Sequence, residues 1–229
     1  MKILLVGIGR CGTISLSNAF GNQKYHVIAE PFNMDTTHTN LDEKKFQFGW
    51  WNRNKEEQLD FFINKEKNIL VKTLVGQIPT EYHGFENWKS FIFEFVKKFD
   101  KVLWIDRKNL DEHFLSIINL TYKVNNQPNE DMGPWYKKWH TSDIPLRVID
   151  EFEKSGLREK LIHNKEILHE TIKKLEGNII WYEDLYGEDR NKSLEIINSW
   201  GIDNINSEEL NKYLHPSKRL KQTIEKQII

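Results

Sequence analysis

Residues 1–20 read MKILLVGIGRCGTISLSNAF, and this stretch decides the fold class. Residues 3–6 are a compact apolar run that ends at Gly7. Such a run is too short for a bilayer span or a signal-peptide core. Gly7, Gly9 and Gly12 follow, and then Ile14, Leu16 and Phe20 recur at helical spacing. Strand, glycine turn and helix in that order open a βαβ unit. Working outward, residues 25–29 (YHVIA) read as a second strand, stopped by Glu30-Pro31. Residues 69–72 (ILVK), 101–106 (KVLWID) and 178–182 (NIIWY) read as three more. Helical patterns occupy 88–99, 111–122, 146–175, 189–200 and 207–214, and a polar stretch with two short helical patterns runs from 35 to 66. The alternation predicts an α/β fold: a five-stranded parallel sheet flanked by helices, in one domain over residues 1–229. Ligands in such sheets bind at the carboxyl ends of the strands. Attention therefore falls on Gly7 to Thr13, Glu30, Lys72-Thr73, Arg107 and Glu183.

Composition narrows the function. The chain has 229 residues, 38% of them hydrophobic, with 8 Trp and 13 Phe, so it can build a core and spare aromatics for a cleft. Its net charge is −1, without the basic excess that nucleic-acid binding favours. Cys11 is the single cysteine, which excludes an internal disulfide and suits a reducing compartment. With no apolar stretch near the roughly 20 residues a membrane span needs, the expectation is a cytoplasmic protein.

The loop GIGRCGT fits more than one motif. Gly7-x-Gly9-x-x-Gly12 is a dinucleotide fingerprint, and Glu30 ends the second strand about where a ribose-binding acid sits. That reading makes the protein an NAD(P)-dependent oxidoreductase. Gly7 and Gly12 also have the spacing of a phosphate-binding P-loop, but Thr13 stands where its lysine belongs, which argues against an ATPase or kinase. A third reading keeps the backbone cradle and drops the metal. Helix-terminal N–H groups bind an anion directly, with Arg10 and the hydroxyls of Thr13 and Ser15 adding hydrogen bonds.

GRCGTISL resembles the 5′-phosphosulfate loop of sulfotransferases that use 3′-phosphoadenosine 5′-phosphosulfate (PAPS). Arg10 falls on the basic position, Gly12 on the glycine, Thr13 on the first hydroxyl, and Cys11 where serine is commoner. WIDRKNLDEHFLS resembles the family's 3′-phosphate segment, with Arg107 ending a strand and Ser116 on the following helix. WYEDLYGED resembles a YEDL segment that closes the sheet in many members; Glu183 and Asp184 are expected to cap a helix turn. The resemblance implies a P-loop-like sulfotransferase fold, closest in look to carbohydrate- and trehalose-type bacterial branches. It also implies PAPS as donor, bound by Gly9, Arg10, Cys11, Gly12, Thr13, Ile14, Ser15, Arg107 and Ser116, and no metal.

Catalysis in this reading needs a cation on the leaving phosphate and a base for the acceptor hydroxyl. Arg10 is the cation, with Lys72 as a second. AEPFN resembles a segment whose Glu serves as base in sugar-sulfating branches, which makes Glu30 the candidate and a carbohydrate hydroxyl the favoured acceptor. His38 is the alternative, since other branches use a histidine. Residues 123–145, with Trp135, Tyr136 and Trp139, are expected to form an acceptor-site loop or lid, and Lys218, Arg219 and Lys221 to fold over the nucleotide. Cys11, at a helix start, is expected to be a reactive thiol shielded by bound nucleotide. A non-catalytic anion- or partner-binding protein on the same fold is the remaining alternative. The sequence does not define an oligomeric state.

Overall fold

The protein is represented by a computed structural model that describes residues 1–31, 46–48, 63–76, 88–126 and 144–214, with 46–48 and 122–126 as backbone alone. Its strands are β1 (Lys2–Gly7), β2 (His26–Ala29), β3 (Phe46–Phe48), β4 (Ile69–Leu74), β5 (Lys101–Asp106) and β6 (Ile179–Trp181). They form one sheet in the order β3-β2-β4-β1-β5-β6, and every pairing is parallel. The parallel α/β architecture expected from the sequence holds, with one more strand than expected. The addition is β3, three residues at the sheet edge inside the stretch read as polar and partly helical. Three residues are too few for strand alternation to register.

Central strands of a parallel sheet are covered on both faces and are apolar throughout rather than alternating. Ile3, Leu4, Leu5 and Val6 of β1 and Ile69, Leu70 and Val71 of β4 are all fully buried. The helices are α1 (Thr13–Asn22), α2 (Trp88–Phe95), α3 (Leu110–Asn126), α4 (Leu146–Lys154), α5 (Leu157–Lys174), α6 (Tyr182–Tyr186), α7 (Arg190–Ser199) and α8 (Ser207–Leu214). The pattern over 88–99 tightens after α2 into a 3-10 turn, Val96–Lys98. The long pattern over 146–175 is two helices, because Gly156 adopts a left-handed φ of 76° between them. Phe20 on α1 packs between Tyr25 and Trp200, whose ring centroids lie 5.3 and 6.1 Å away. This contact ties the C-terminal helices to the first βα unit.

Register brings the functional ends together. Gly7, the last residue of β1, lies opposite Leu74 of β4 and Ile105 of β5. The chain therefore leaves all three central strands at one level. A Cβ on Gly7 would stand 2.8 Å from the Ile105 side chain, so this close approach needs glycine. Among the described residues, no helix is long and apolar enough to cross a membrane.

Candidate anion-binding site

α1 starts without a cap. Gly12 precedes it with φ 78° and offers no side chain to the helix amides. The first helical bond runs from Leu16 N–H to the Gly12 carbonyl at 3.1 Å, so the amides of Thr13, Ile14 and Ser15 have no acceptor within the helix. The starts of α4, α5 and α6 also lack a side-chain cap, whereas those of α7 and α3 have one. At α7, Asp189 accepts from Asn191 and Lys192 N–H. At α3, Asn109 Oδ1 accepts from Glu112 N–H at 3.1 Å, and Glu183 accepts from Lys108 and Asn109 N–H at 2.9 and 3.2 Å. Three uncapped amides beside a basic side chain are donors an anion can use. Gly9 leaves room for one: a Cβ there would meet nothing within 4 Å.

Two guanidinium groups converge on this loop. Arg10 takes a left-handed backbone, φ 72°, and its Nε donates to Ser116 Oγ at 3.3 Å. Burial first, and the Arg107 charge second, push its pKa below the ordinary arginine value. Arg107 follows β5 and lays its guanidinium over the Tyr182 ring, 3.9 Å from the centroid. Its Nε is buried and has no hydrogen-bond partner among the described residues. Asp111, four residues on, is bonded by Arg158 at 2.6 Å. Two neighbouring cations, an unused buried donor and uncapped helix amides are groups that can take an anion of more than one charge. Arg10, Arg107 and Ser116, widely separated in the sequence, thus meet in one place.

The floor of the cradle is a pair of tyrosines. Tyr182 and Tyr186 stack at 4.7 Å, and Tyr186 Oη donates to the Gly12 carbonyl at 2.7 Å. A Cβ on Gly12 would lie 2.5 Å from the Tyr186 ring, so glycine is required there by both packing and φ. Glu183 holds the start of α3, as the sequence suggested. Asp184 faces outward between Lys108 and Lys192, each at 2.8 Å.

At the neighbouring strand ends, Glu30 and Lys72 form a buried ion pair, and Glu30 N–H donates to the Lys72 carbonyl at 2.7 Å. Burial pushes the Lys72 pKa down, Glu30 opposes that, and Arg10 adds to it. Arg10 is therefore close enough for the pair to feel its charge. The sequence brought Glu30, Lys72 and Arg10 forward separately, and the fold joins them at one end of the sheet.

Behind the loop lies a buried cluster that sequence reading did not assemble. Asp106, the last residue of β5, is fully buried. Its carboxylate accepts from Lys165 Nζ at 2.7 and 2.8 Å, from His169 Nε2 at 2.8 Å and from Arg107 N–H at 2.8 Å. His113 Nε2 lies 2.7 Å from the Gly9 carbonyl, an acceptor only, so this nitrogen carries the proton. The His113 pKa is pushed down to about 4 by burial, with the Gly9 bond opposing. Cys11, Asp106 and His113 each present a ligand-type atom within 4.8 Å of the others. Lys165 already neutralises that carboxylate and His169 donates to it, which makes it a counter-ion. The available signals were His113 and Ser116 three apart on α3, and Lys165 and His169 four apart on α5: each pair shares a helix face.

One expectation is corrected. Cys11 is not an accessible thiol: it is fully buried, its Sγ lies 3.6 Å from Asp106 Oδ1, and its N–H turns inward to the Ile8 carbonyl at 3.3 Å. Burial, then Asp106, push its pKa far up. The helix terminus favours a thiolate, but burial, with the Asp106 carboxylate second, outweighs it. Thr13 is buried and Ser15 exposed at the start of α1. His38, the 123–145 loop (apart from 123–126, described as backbone, and Ile144 and Pro145) with Trp135, Tyr136 and Trp139, and the tail residues Lys218, Arg219 and Lys221 lie outside the residues whose side chains are described. No model of a known protein family matches the chain, and no curated protein matches it.

Proposed function

We propose that the protein is a sulfotransferase that moves a sulfuryl group from PAPS to a hydroxyl acceptor, with a carbohydrate hydroxyl the class the AEPFN segment favours. The observation that carries this reading is the convergence of Arg10 and Arg107 on the uncapped start of α1, with Arg107 Nε buried and unpartnered among the described residues. An anion between the two guanidiniums relieves both their mutual repulsion and their burial cost. The residues fit a nucleotide with phosphates at two positions, since the cradle has two cationic walls. When bound, PAPS supplies the sulfuryl group and a phosphate leaving group.

The chain's own residues then divide the work. Amides of Thr13, Ile14 and Ser15 hold the 5′ anion, and Arg10 stabilises the charge that develops there. Arg107 and Ser116 hold the 3′-phosphate. Glu30 takes the proton from the acceptor hydroxyl, with Lys72 orienting its carboxylate. A reducing compartment, the cytoplasm, is the expected setting for the lone thiol.

The dinucleotide alternative is less well supported. In the dinucleotide-binding sheet the second strand lies beside the first, so its terminal acid reaches the ribose. Here β4 stands between β1 and β2, and Glu30 is paired with Lys72.

Thermal unfolding with 3′,5′-ADP, NAD and Mg-ATP in parallel tests the assignment. A ligand at about 100 times its Kd stabilises by about 2.7 kcal/mol, or roughly 5–10 °C for a chain of this size. The expected result is a shift with 3′,5′-ADP and none with NAD. A shift with NAD alone makes the glycine fingerprint the true signal. A 3′,5′-ADP shift with no turnover of PAPS, against a panel of sugar and phenol acceptors, favours a non-catalytic binder.

A further inference from the structure

We propose that Asp106 and Lys165 are positioning residues for the anion site: they grip the main chain of Arg107 from both sides, and His113 ties the facing loop to the same buried cluster. The Arg107 N–H donates to Asp106 Oδ1 at 2.8 Å, and the Arg107 carbonyl accepts from Lys165 Nζ at 2.6 Å. Lys165 bridges the two, since the same Nζ bonds both oxygens of Asp106. The residue whose side chain carries the unpartnered donor is thus held at both of its peptide groups by one ion pair. That pair reaches across 59 residues of sequence, from α5 to the end of β5.

The opposite wall is held by the same cluster. His113 donates to the Gly9 carbonyl at 2.7 Å, and its Nδ1 lies 3.9 Å from Asp106 Oδ1, buried and without a hydrogen-bond partner. Ser116, one turn further along α3, receives the Arg10 side chain. One face of α3 therefore fixes both the backbone and the charged side chain of the loop. A site needs its donors held to within a fraction of an ångström, and supporting hydrogen bonds provide that precision. None of Asp106, Lys165 or His113 needs to touch the ligand for this role. The identity of the ligand rests on the proposed function; the positioning rests on geometry alone.

A double-mutant cycle with calorimetric titration of 3′,5′-ADP tests it. Arg107→Ala is expected to weaken binding about 30-fold and Lys165→Met about tenfold, with the double variant no weaker than Arg107→Ala alone. Losses that multiply, to about 300-fold in the double variant, overturn the proposal, because Lys165 then acts independently of Arg107. Hydrogen exchange supplies a ligand-free arm. In Lys165→Met the Arg107 amide is expected to lose about tenfold more protection than the Leu4 and Val71 amides, which report global stability. Equal acceleration at all three means general destabilisation and also overturns it. If wild-type protein binds no 3′,5′-ADP, the functional reading falls and the exchange arm alone decides the positioning. Should Lys165→Met not fold, Lys165→Arg keeps a cation on Asp106 with a wider head group. It is expected to give the same non-multiplying pattern at a few-fold loss.

Discussion

Two buried lysine–carboxylate pairs stand at the carboxyl ends of the sheet, and they are built the opposite way round. In the Lys72–Glu30 pair the lysine is sealed, its side chain 1% exposed, while the carboxylate reaches solvent at 11%. In the Lys165–Asp106 pair the carboxylate is sealed at 0% and the lysine reaches out at 13%. Which partner is sealed decides what each pair can do. A carboxylate that reaches solvent can exchange a proton with a bound molecule. One saturated by Lys165, His169 and a backbone amide can only hold its neighbours in place. The first pair therefore suits chemistry and the second suits support, although both read from sequence as an acid at a strand end.

Substitutions sharpen that contrast. Glu30→Gln is expected to lower sulfuryl transfer by about 10²–10⁴, with 3′,5′-ADP affinity within about twofold of wild type. Steady-state kinetics beside calorimetry separates the two, and loss of both together would place Glu30 among the supporting residues instead. Asp106→Ala should act mainly on stability. It strands Lys165 without its counter-ion, and a broken buried pair costs about 3–5 kcal/mol. Its thermal midpoint should fall by roughly 6–20 °C, and a drop of only a degree or two contradicts the supporting role.

The pH dependence belongs to the same cluster. His113 in the folded state has a pKa lowered from 6.5 to about 4. Between those values the unfolded chain binds more protons than the folded one, so stability present above pH 6.5 is lost as pH falls toward 4. The loss attributable to this residue is on the order of 3 kcal/mol. Urea midpoints of wild type and His113→Leu across this range should converge on acidification; parallel curves would remove His113 from the account. The smallest effect concerns Cys11, whose alkylation in the native protein should be negligible with or without 3′,5′-ADP. Fast labelling that nucleotide suppresses would put the thiol back in the cradle.

Much of this was legible because the local pattern carried it. β1 and β5 are buried on both faces, and their apolar runs need no context to be seen. Arg10, Gly12 and Arg107 sit at turns whose position follows from those strands. β3 escaped because a three-residue edge strand leaves no pattern. The break at Gly156 escaped because a single glycine inside a helical pattern does not by itself mark an end. The Asp106 cluster escaped for a different reason. Lys165 and His169 lie on a helix that reads as ordinary and amphipathic, and only the folded chain brings them to β5. Cys11 was misread because a helix-terminus argument says where the backbone points its field and nothing about where a side chain is buried.

The most direct measurement is the affinity of wild-type protein for 3′,5′-ADP against 5′-AMP at fixed ionic strength. If Arg10 and Arg107 form two walls of one cradle, the 3′-phosphate should strengthen binding by about tenfold or more, the value of a charge-assisted hydrogen bond. Equal affinity for the two nucleotides would mean that Arg107 reads no 3′-phosphate, and the proposed donor site would be wrong.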